Sequence, residues 1–290
     1  MPALPARLGA LLLAVAATAA HAAASFEPLV RVEDGVNFAG AVIGRVPEFW
    51  GSRDSATGIA PMARWQLQGE RFVQLLGPEV TVNLLDDPRW RAGPSVGLRF
   101  GRREVSDPVV RAMRPVASTA EVGAFVGYTE PLGRDPRHRW GVSAALAGAT
   151  GSVYRGLVGS ATVYWLKPVA PWLTLNASGG VGFAGSGFQR TYLGVGPGGA
   201  RRGGRGPPPR APPRARPTAR LAPAGYRPGA GLTDLRLLAG GMVHLSPSWH
   251  LLVGARAQRL LGDAAASPIV RQRGNATQWV AGAGVVYLWR

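Results

Sequence analysis

Residues 173–183 read Leu-Thr-Leu-Asn-Ala-Ser-Gly-Gly-Val-Gly-Phe. Leu173, Leu175, Ala177, Val181 and Phe183 fall on one parity, and Thr174, Asn176, Ser178 and Gly182 on the other. A period of two is the signature of an extended strand with one apolar and one polar face. The same alternation runs through Leu235, Leu237, Ala239, Val243 and Leu245, then Trp249, Leu251, Val253, Ala255 and Ala257. It closes the chain at Trp279, Ala281, Ala283, Val285, Tyr287 and Trp289. A soluble sandwich also alternates. These stretches are longer than the ~5–6 residues usual for soluble strands. Their second face is polar or glycine, rich in Arg, Gln, Ser, Thr and Asn.

Aromatic residues gather at the ends of the stretches: Tyr164, Trp165, Trp172, Trp249, Trp279, Tyr287 and Trp289. In a bilayer such residues form girdles at the two interfaces. Strands are expected at 36–46, 57–68, 71–77, 79–86, 90–101, 118–131, 138–149, 153–167, 171–184, 231–246, 248–259 and 277–289. The connections alternate between tight turns (Gly69-Glu70, Asp86 to Arg89, Leu132 to Arg137, Lys167 to Pro171, Ser246-Pro247) and a second set that includes long loops over 47–56, 102–117, 185–230 and 260–276. Short periplasmic turns opposite long outer loops, with an even strand count, predict a transmembrane antiparallel β-barrel of about twelve strands.

Composition fits that reading. The chain has 290 residues, 46% hydrophobic and 17% charged, with 41 Gly, 25 Pro and no Cys. Without cysteine there is no disulfide framework, Cys-ligated zinc or thiol chemistry. The net charge of +17 comes from 33 basic against 16 acidic residues, and Lys167 is the only lysine. Arg7 followed by the apolar run Leu8–Ala20 and the small-residue end Ala22-Ala23-Ala24 reads as a secretory leader over 1–24, cleaved to leave a barrel over 25–290. Export to the outer membrane of a Gram-negative bacterium removes nucleic acid as the partner of the basic charge. No other segment reaches 18 uninterrupted apolar residues, so no helix is expected to span a membrane.

Residues 197–225 stand apart, with 8 Pro, 7 Arg and 6 Gly in 29 residues and no acid. Pro207-Pro208-Pro209 and Pro212-Pro213 oppose helix and sheet, so a disordered outer loop is expected. Its arginines could touch lipopolysaccharide phosphates. The plainer alternative is a solvated insertion with no selected role.

The parity opposite the lipid face places Arg64, Gln66, Arg99, Glu121, Asp234, Arg236, Arg256 and Gln258 inside the barrel. They could line a small anion-favouring pore, or cross-link the strands and plug it, because buried charges need partners. His244-Leu245-Ser246 suggests a base and a nucleophile on one strand face, as in lipid A hydrolase barrels. Asp234 lies too far along the strand to complete a triad, and the motif falls at a periplasmic turn. Four histidines, one inside the leader, do not make a metal site, and no cofactor is indicated. Arg155 falls on the lipid-facing parity near the outer interface, where a phosphate could meet it.

Several stretches together resemble the MltA-interacting protein (MipA)/OmpV family. The most specific runs Leu260-Leu261-Gly262-Asp263-Ala264-Ala265-Ala266-Ser267-Pro268-Ile269-Val270, followed by Arg271-Gln272-Arg273-Gly274. Pro47-Glu48-Phe49-Trp50-Gly51-Ser52, Thr191-Tyr192-Leu193-Gly194-Val195 and Tyr226-Arg227-Pro228-Gly229-Ala230-Gly231 are also similar to family segments. The chain end, Gly284 to Trp289, resembles the terminal insertion signal of outer-membrane barrels, with Arg290 added after the usual final aromatic. The likeness extends over nearly all of 36–289 and departs from the family between Val195 and Tyr226. It implies a non-enzymatic barrel that scaffolds a murein lytic transglycosylase and a penicillin-binding protein, or else a porin-like protein or adhesin.

Overall fold

The computed structural model describes residues 36–196, 221 and 225–290. The leader read over 1–24 and nearly all of the Arg/Pro-rich stretch 197–225 lie outside the described residues. Twelve antiparallel strands close into one barrel: β1 (Asn37–Pro47), β2 (Ser55–Gln66), β3 (Phe72–Leu76), β4 (Glu79–Asn83), β5 (Trp90–Arg99), β6 (Thr119–Pro131), β7 (Arg139–Ala149), β8 (Leu157–Ala170), β9 (Leu173–Ala184), β10 (Gly231–His244), β11 (Trp249–Leu260) and β12 (Thr277–Trp289). Each strand pairs with its neighbours in sequence, and β1 pairs with β12 from Asn37↔Trp289 to Arg45↔Ala281. Closure leaves no free edge, and so no unpaired backbone facing lipid.

The outward parity is apolar where the alternation predicted it. Ile43, Val96, Val122, Leu146, Leu237 and Val253 are among its exposed side chains. The aromatic girdle is one-sided, against the expectation of two belts. Trp65, Trp90, Tyr128, Trp140, Trp165, Trp172, Trp249, Tyr287 and Trp289 all stand at the short-turn rim. Several touch: Trp90 and Tyr128 are 5.0 Å apart by ring centre, and Trp249 and Tyr287 4.9 Å. The long-loop rim has Trp279 and Phe183 facing outward. Tyr164 leaves the girdle altogether, because its parity is inward; it is buried and meets the Thr129 hydroxyl at 2.5 Å.

Two strand ends moved for identifiable reasons. Strand β8 begins at Leu157 rather than 153, because Gly156 takes a φ of +96° that breaks the ladder. It runs on to Ala170 through a bulge at Pro168/Ala170, which accommodates a residue with no N–H. Arg155 is therefore an exposed loop residue, not part of a lipid-facing strand. Strand β4 stops at Asn83 rather than 86. The fully buried Asn83 amide there accepts from the Ala92 N–H and donates to the Glu70 and Leu85 carbonyls, continuing the contact where the β4–β5 ladder ends at Thr81↔Ser95.

Inside, the wall is uneven. Gly240, Gly254, Gly282, Gly44 and Gly58 are successive register partners, so one row across five strands carries no side chains. On the same side of the lumen Phe38, Val42, Met62, Leu76, Leu238, Met242, Leu252, Val286 and Leu288 form a buried apolar cluster. An interior read as polar thus holds a hydrophobic core over β10, β11, β12, β1, β2 and β3.

The long loops contain four short helices that period-two reading passes over: α1 (Pro108–Arg111), α2 (Ser186–Leu193), α3 (Gly262–Ala266) and α4 (Pro268–Arg273). Two announce themselves locally. Asp107-Pro108 and Ser267-Pro268 place a capping side chain before proline at the first helical turn, and both caps accept backbone N–H bonds.

Candidate functional site

Two ion pairs, Arg99–Glu121 and Arg236–Asp234, lie at successive levels of the interior, with further buried arginines beyond them. At the long-loop end, β5 and β6 bring Arg99 and Glu121 together as a bidentate pair, with Nη2 to Oε2 at 2.8 Å. The Tyr154 hydroxyl donates to the same carboxylate from the loop before β8. Above them sits α2, whose Phe188 ring lies 4.8 Å from the Arg99 guanidinium. Phe188 also packs against Trp50 at 5.6 Å, Tyr154 at 5.0 Å and Tyr192 at 4.6 Å. Burial raises the Tyr154 phenol, with Glu121 adding to the effect, and burial pushes Tyr192 up to about 12. Both phenols stay neutral at physiological pH, and Tyr154 is the one that donates.

The loops that hold this cap are stitched to one another. The Gln278 side chain accepts from the Gly51 N–H and donates to the Ser52 carbonyl. Ser267 Oγ donates to the Leu193 carbonyl at 2.7 Å, tying α4 to the end of α2. Arg273 grips Asp107 at 2.7 Å, tying α4 to α1. Burial works against the Asp107 charge, but the Val110 N–H and Arg273 more than offset it, and its carboxyl is held below the usual range.

One level in, Asp234 and Arg236 pair along β10 at 2.5 Å, and Thr233 donates to Asp234. Arg256 is buried on the neighbouring strand within electrostatic reach of both, with Gln258 buried two residues on. A cavity of about 100 Å³ touches Arg99, Glu121, Asp234 and Arg236 and ends against Trp50 and Phe188. Toward the short-turn end, Arg64 is buried with its guanidinium 3.6 Å from the Phe72 ring centre. Gln66 donates to the Gly69 carbonyl in the turn. Arg91, missed in the sequence, is 1% exposed and donates to Thr129 at 2.8 Å. Its inward parity beside the exposed Trp90 was the available signal.

The hydrolase pair is not assembled. His244 Nδ1 faces His250 Nδ1 at 2.8 Å and its Nε2 meets Thr174 at 2.9 Å. Ser246 lies past the strand end, where its Oγ accepts from the Trp249 N–H at 2.9 Å as a turn cap. Among the described residues no group of three His, Cys, Asp or Glu side chains could hold a metal.

A closed, even-stranded antiparallel barrel with an apolar exterior, short turns at one rim and long loops at the other is a transmembrane barrel of the outer-membrane type. More narrowly, the chain belongs to the MipA family: the family described as MltA-interacting protein MipA matches residues 39–289. No curated protein matches the chain. Among solved structures it is similar to an outer membrane channel of Pseudomonas putida, at 10% identity over 89% of this chain and 97% of that one, with a TM-score of 0.45. It is also similar to OmpT, an outer membrane protein of Vibrio cholerae, at 7% identity over 87% and 96%, with a TM-score of 0.39. A third likeness is to the translocator domain of the autotransporter NalP of Neisseria meningitidis, at 13% identity over 97% and 94%, with a TM-score of 0.33.

Proposed function

We propose that this barrel is a plugged, non-enzymatic binding protein that holds cell-wall synthesis enzymes at the outer membrane through its periplasmic turns. What supports this reading is the packing inside the barrel: α2 and its aromatic neighbours sit over the Arg99–Glu121 pair, and the Phe38–Leu288 cluster lines one side of the wall. A conducting role leaves such a lumen without purpose; a scaffold requires only a rigid body with presented turns. The family description names MltA as the partner of its members; a murein lytic transglycosylase held there would be bridged to a penicillin-binding protein as the second enzyme. In this reading residues 1–24 are removed on export, and 197–225 belong to an outer connection that is either a solvated insertion or a contact for lipopolysaccharide phosphates.

A second reading, a small anion-favouring pore, is supported by the excess of buried Arg64, Arg91, Arg139 and Arg256 over Glu121 and Asp234. Planar-bilayer recording of the folded protein, beside binding of purified murein lytic transglycosylase to it, separates the two. Silent bilayers with saturable transglycosylase binding support the scaffold. A stable anion-selective conductance without such binding replaces it with the pore.

A further inference from the structure

Outside the lumen, the long loops enclose a second and larger space. A cavity of about 720 Å³ lies between the β5–β6 loop, the β7–β8 loop and the segments on either side of α2. Arg102, Arg114, Arg190 and Arg227 line it, and no carboxylate does. The last three are exposed at its rim. Arg102 is different: it is 6% exposed, on the short bridge that pairs it with Val116. Its Nη1 donates to the Tyr192 carbonyl at 2.8 Å, while its Nε has no hydrogen-bond partner among the described residues. Burial pushes its pKa down to about 10, with the Tyr192 phenol offsetting part of the shift and no carboxylate contributing.

Buried guanidinium groups ordinarily come with a carboxylate. Arg99, three residues earlier, obeys that rule through Glu121. Of the acids in the surrounding loops, Asp107 is engaged by Arg273, Glu48 by Ser106 and Asp263 by the Gly229 N–H, and the exposed Glu104 forms no ion pair with Arg102. The counter-charge for Arg102 is therefore missing from the described protein. A concave site with a buried cation for a floor and three exposed cations for a rim has the form of an anion receptor.

We infer that this outer cavity binds a phosphate-bearing ligand, with Arg102 as the floor contact and Arg114, Arg190 and Arg227 closing on the phosphate oxygens. Four guanidiniums suit a doubly charged, multi-oxygen group better than a single carboxylate. The volume exceeds inorganic phosphate and fits a phosphosugar or diphosphate. Such chemistry has two sources at this rim: a phosphorylated glycolipid headgroup of the outer leaflet, or a soluble phosphate ester.

The test uses the full chain folded in detergent, its folded fraction read by heat-modifiable gel migration. Calorimetric titrations use pyrophosphate, then lipid A in bicelles against its dephosphorylated form. The expected result is saturable, salt-sensitive binding that Arg102→Met weakens roughly tenfold or more. The combined change Arg114→Gln, Arg190→Gln and Arg227→Gln should weaken it at least as much. Binding of pyrophosphate alone assigns a soluble ligand; binding of lipid A but not its dephosphorylated form assigns the headgroup. Failure of every phosphate probe to bind the folded wild type overturns the inference. So does unchanged affinity in folded Arg102→Met or, where that variant does not fold, in the rim variant.

Discussion

Replacing Glu121 with leucine strips the carboxylate from Arg99 while keeping a side chain of similar bulk. The pair is shielded, with side-chain exposures of 8% for Arg99 and 10% for Glu121, so water cannot readily replace the lost partner. Removing one member of a buried ion pair costs about 3–5 kcal/mol, because the remaining charge stays buried. The Tyr154 hydroxyl loses its acceptor in the same step. The expected destabilisation is therefore about 4 kcal/mol. The double variant Arg99→Met with Glu121→Leu removes both charges, and apolar replacement of a whole pair is near neutral or stabilising. It should recover most of the loss, which a double-mutant cycle reads directly. The assay is reversible urea unfolding in lipid vesicles, followed by fluorescence of the girdle tryptophans. A Glu121→Leu single variant within about 1 kcal/mol of wild type refutes the reasoning, since it means that solvent already satisfies Arg99.

Three further outcomes follow. A Cβ added at Gly44 would stand 2.4 Å from the Ala281 carbonyl oxygen, so Gly44→Val should cost at least about 1–3 kcal/mol in the same unfolding assay. Gly97→Ala meets nothing nearer than 3.8 Å and serves as the tolerated control. The folded Asp107 carboxyl is held below its ordinary value near 3.8, so its contribution is complete above that value and is lost as pH falls through the lower folded value. Limited proteolysis of the 103–115 loop should accelerate in that acid window, and Asp107→Asn should show the faster cleavage already at pH 7. Ser246→Ala removes the acceptor for the Trp249 N–H and for the longer bond from the Ser248 N–H, so it should cost about 0.5–1.5 kcal/mol of stability. Lipid A incubated with either protein should show the same acyl pattern by mass spectrometry.

The wall of the barrel was legible because lipid imposes a period of two on every spanning strand, and β12 falls on its expected residues without adjustment. The inward parity of Arg64, Arg99, Glu121, Asp234, Arg236 and Arg256 came from the same signal. Their partners did not, since pairing depends on which strands adjoin and at what height: Arg99 meets Glu121 across the β5–β6 register. The cap was invisible for a different reason. Helix α2 is eight residues with no side-chain cap, and what seats Phe188, besides Tyr192 one turn on in the same helix, is Trp50 and Tyr154, drawn from two loops distant in sequence. Arg102 carried no sequence signal at all. What marks it is burial at the floor of an outer cavity whose lining holds no carboxylate, which only the folded loops reveal.

The one-sided aromatic girdle bears on how the barrel meets membranes of different thickness. Indole and phenol rings lodge at the level of the lipid headgroups, so a continuous belt fixes the depth of the rim that carries it. Here the anchored rim is the one with short turns, and the far rim offers little more than Trp279 and Phe183 at that level. When hydrocarbon thickness changes, the misfit must fall on the unanchored side. The turns facing the periplasm then keep a constant height above the cell wall while the looped end rides up or down.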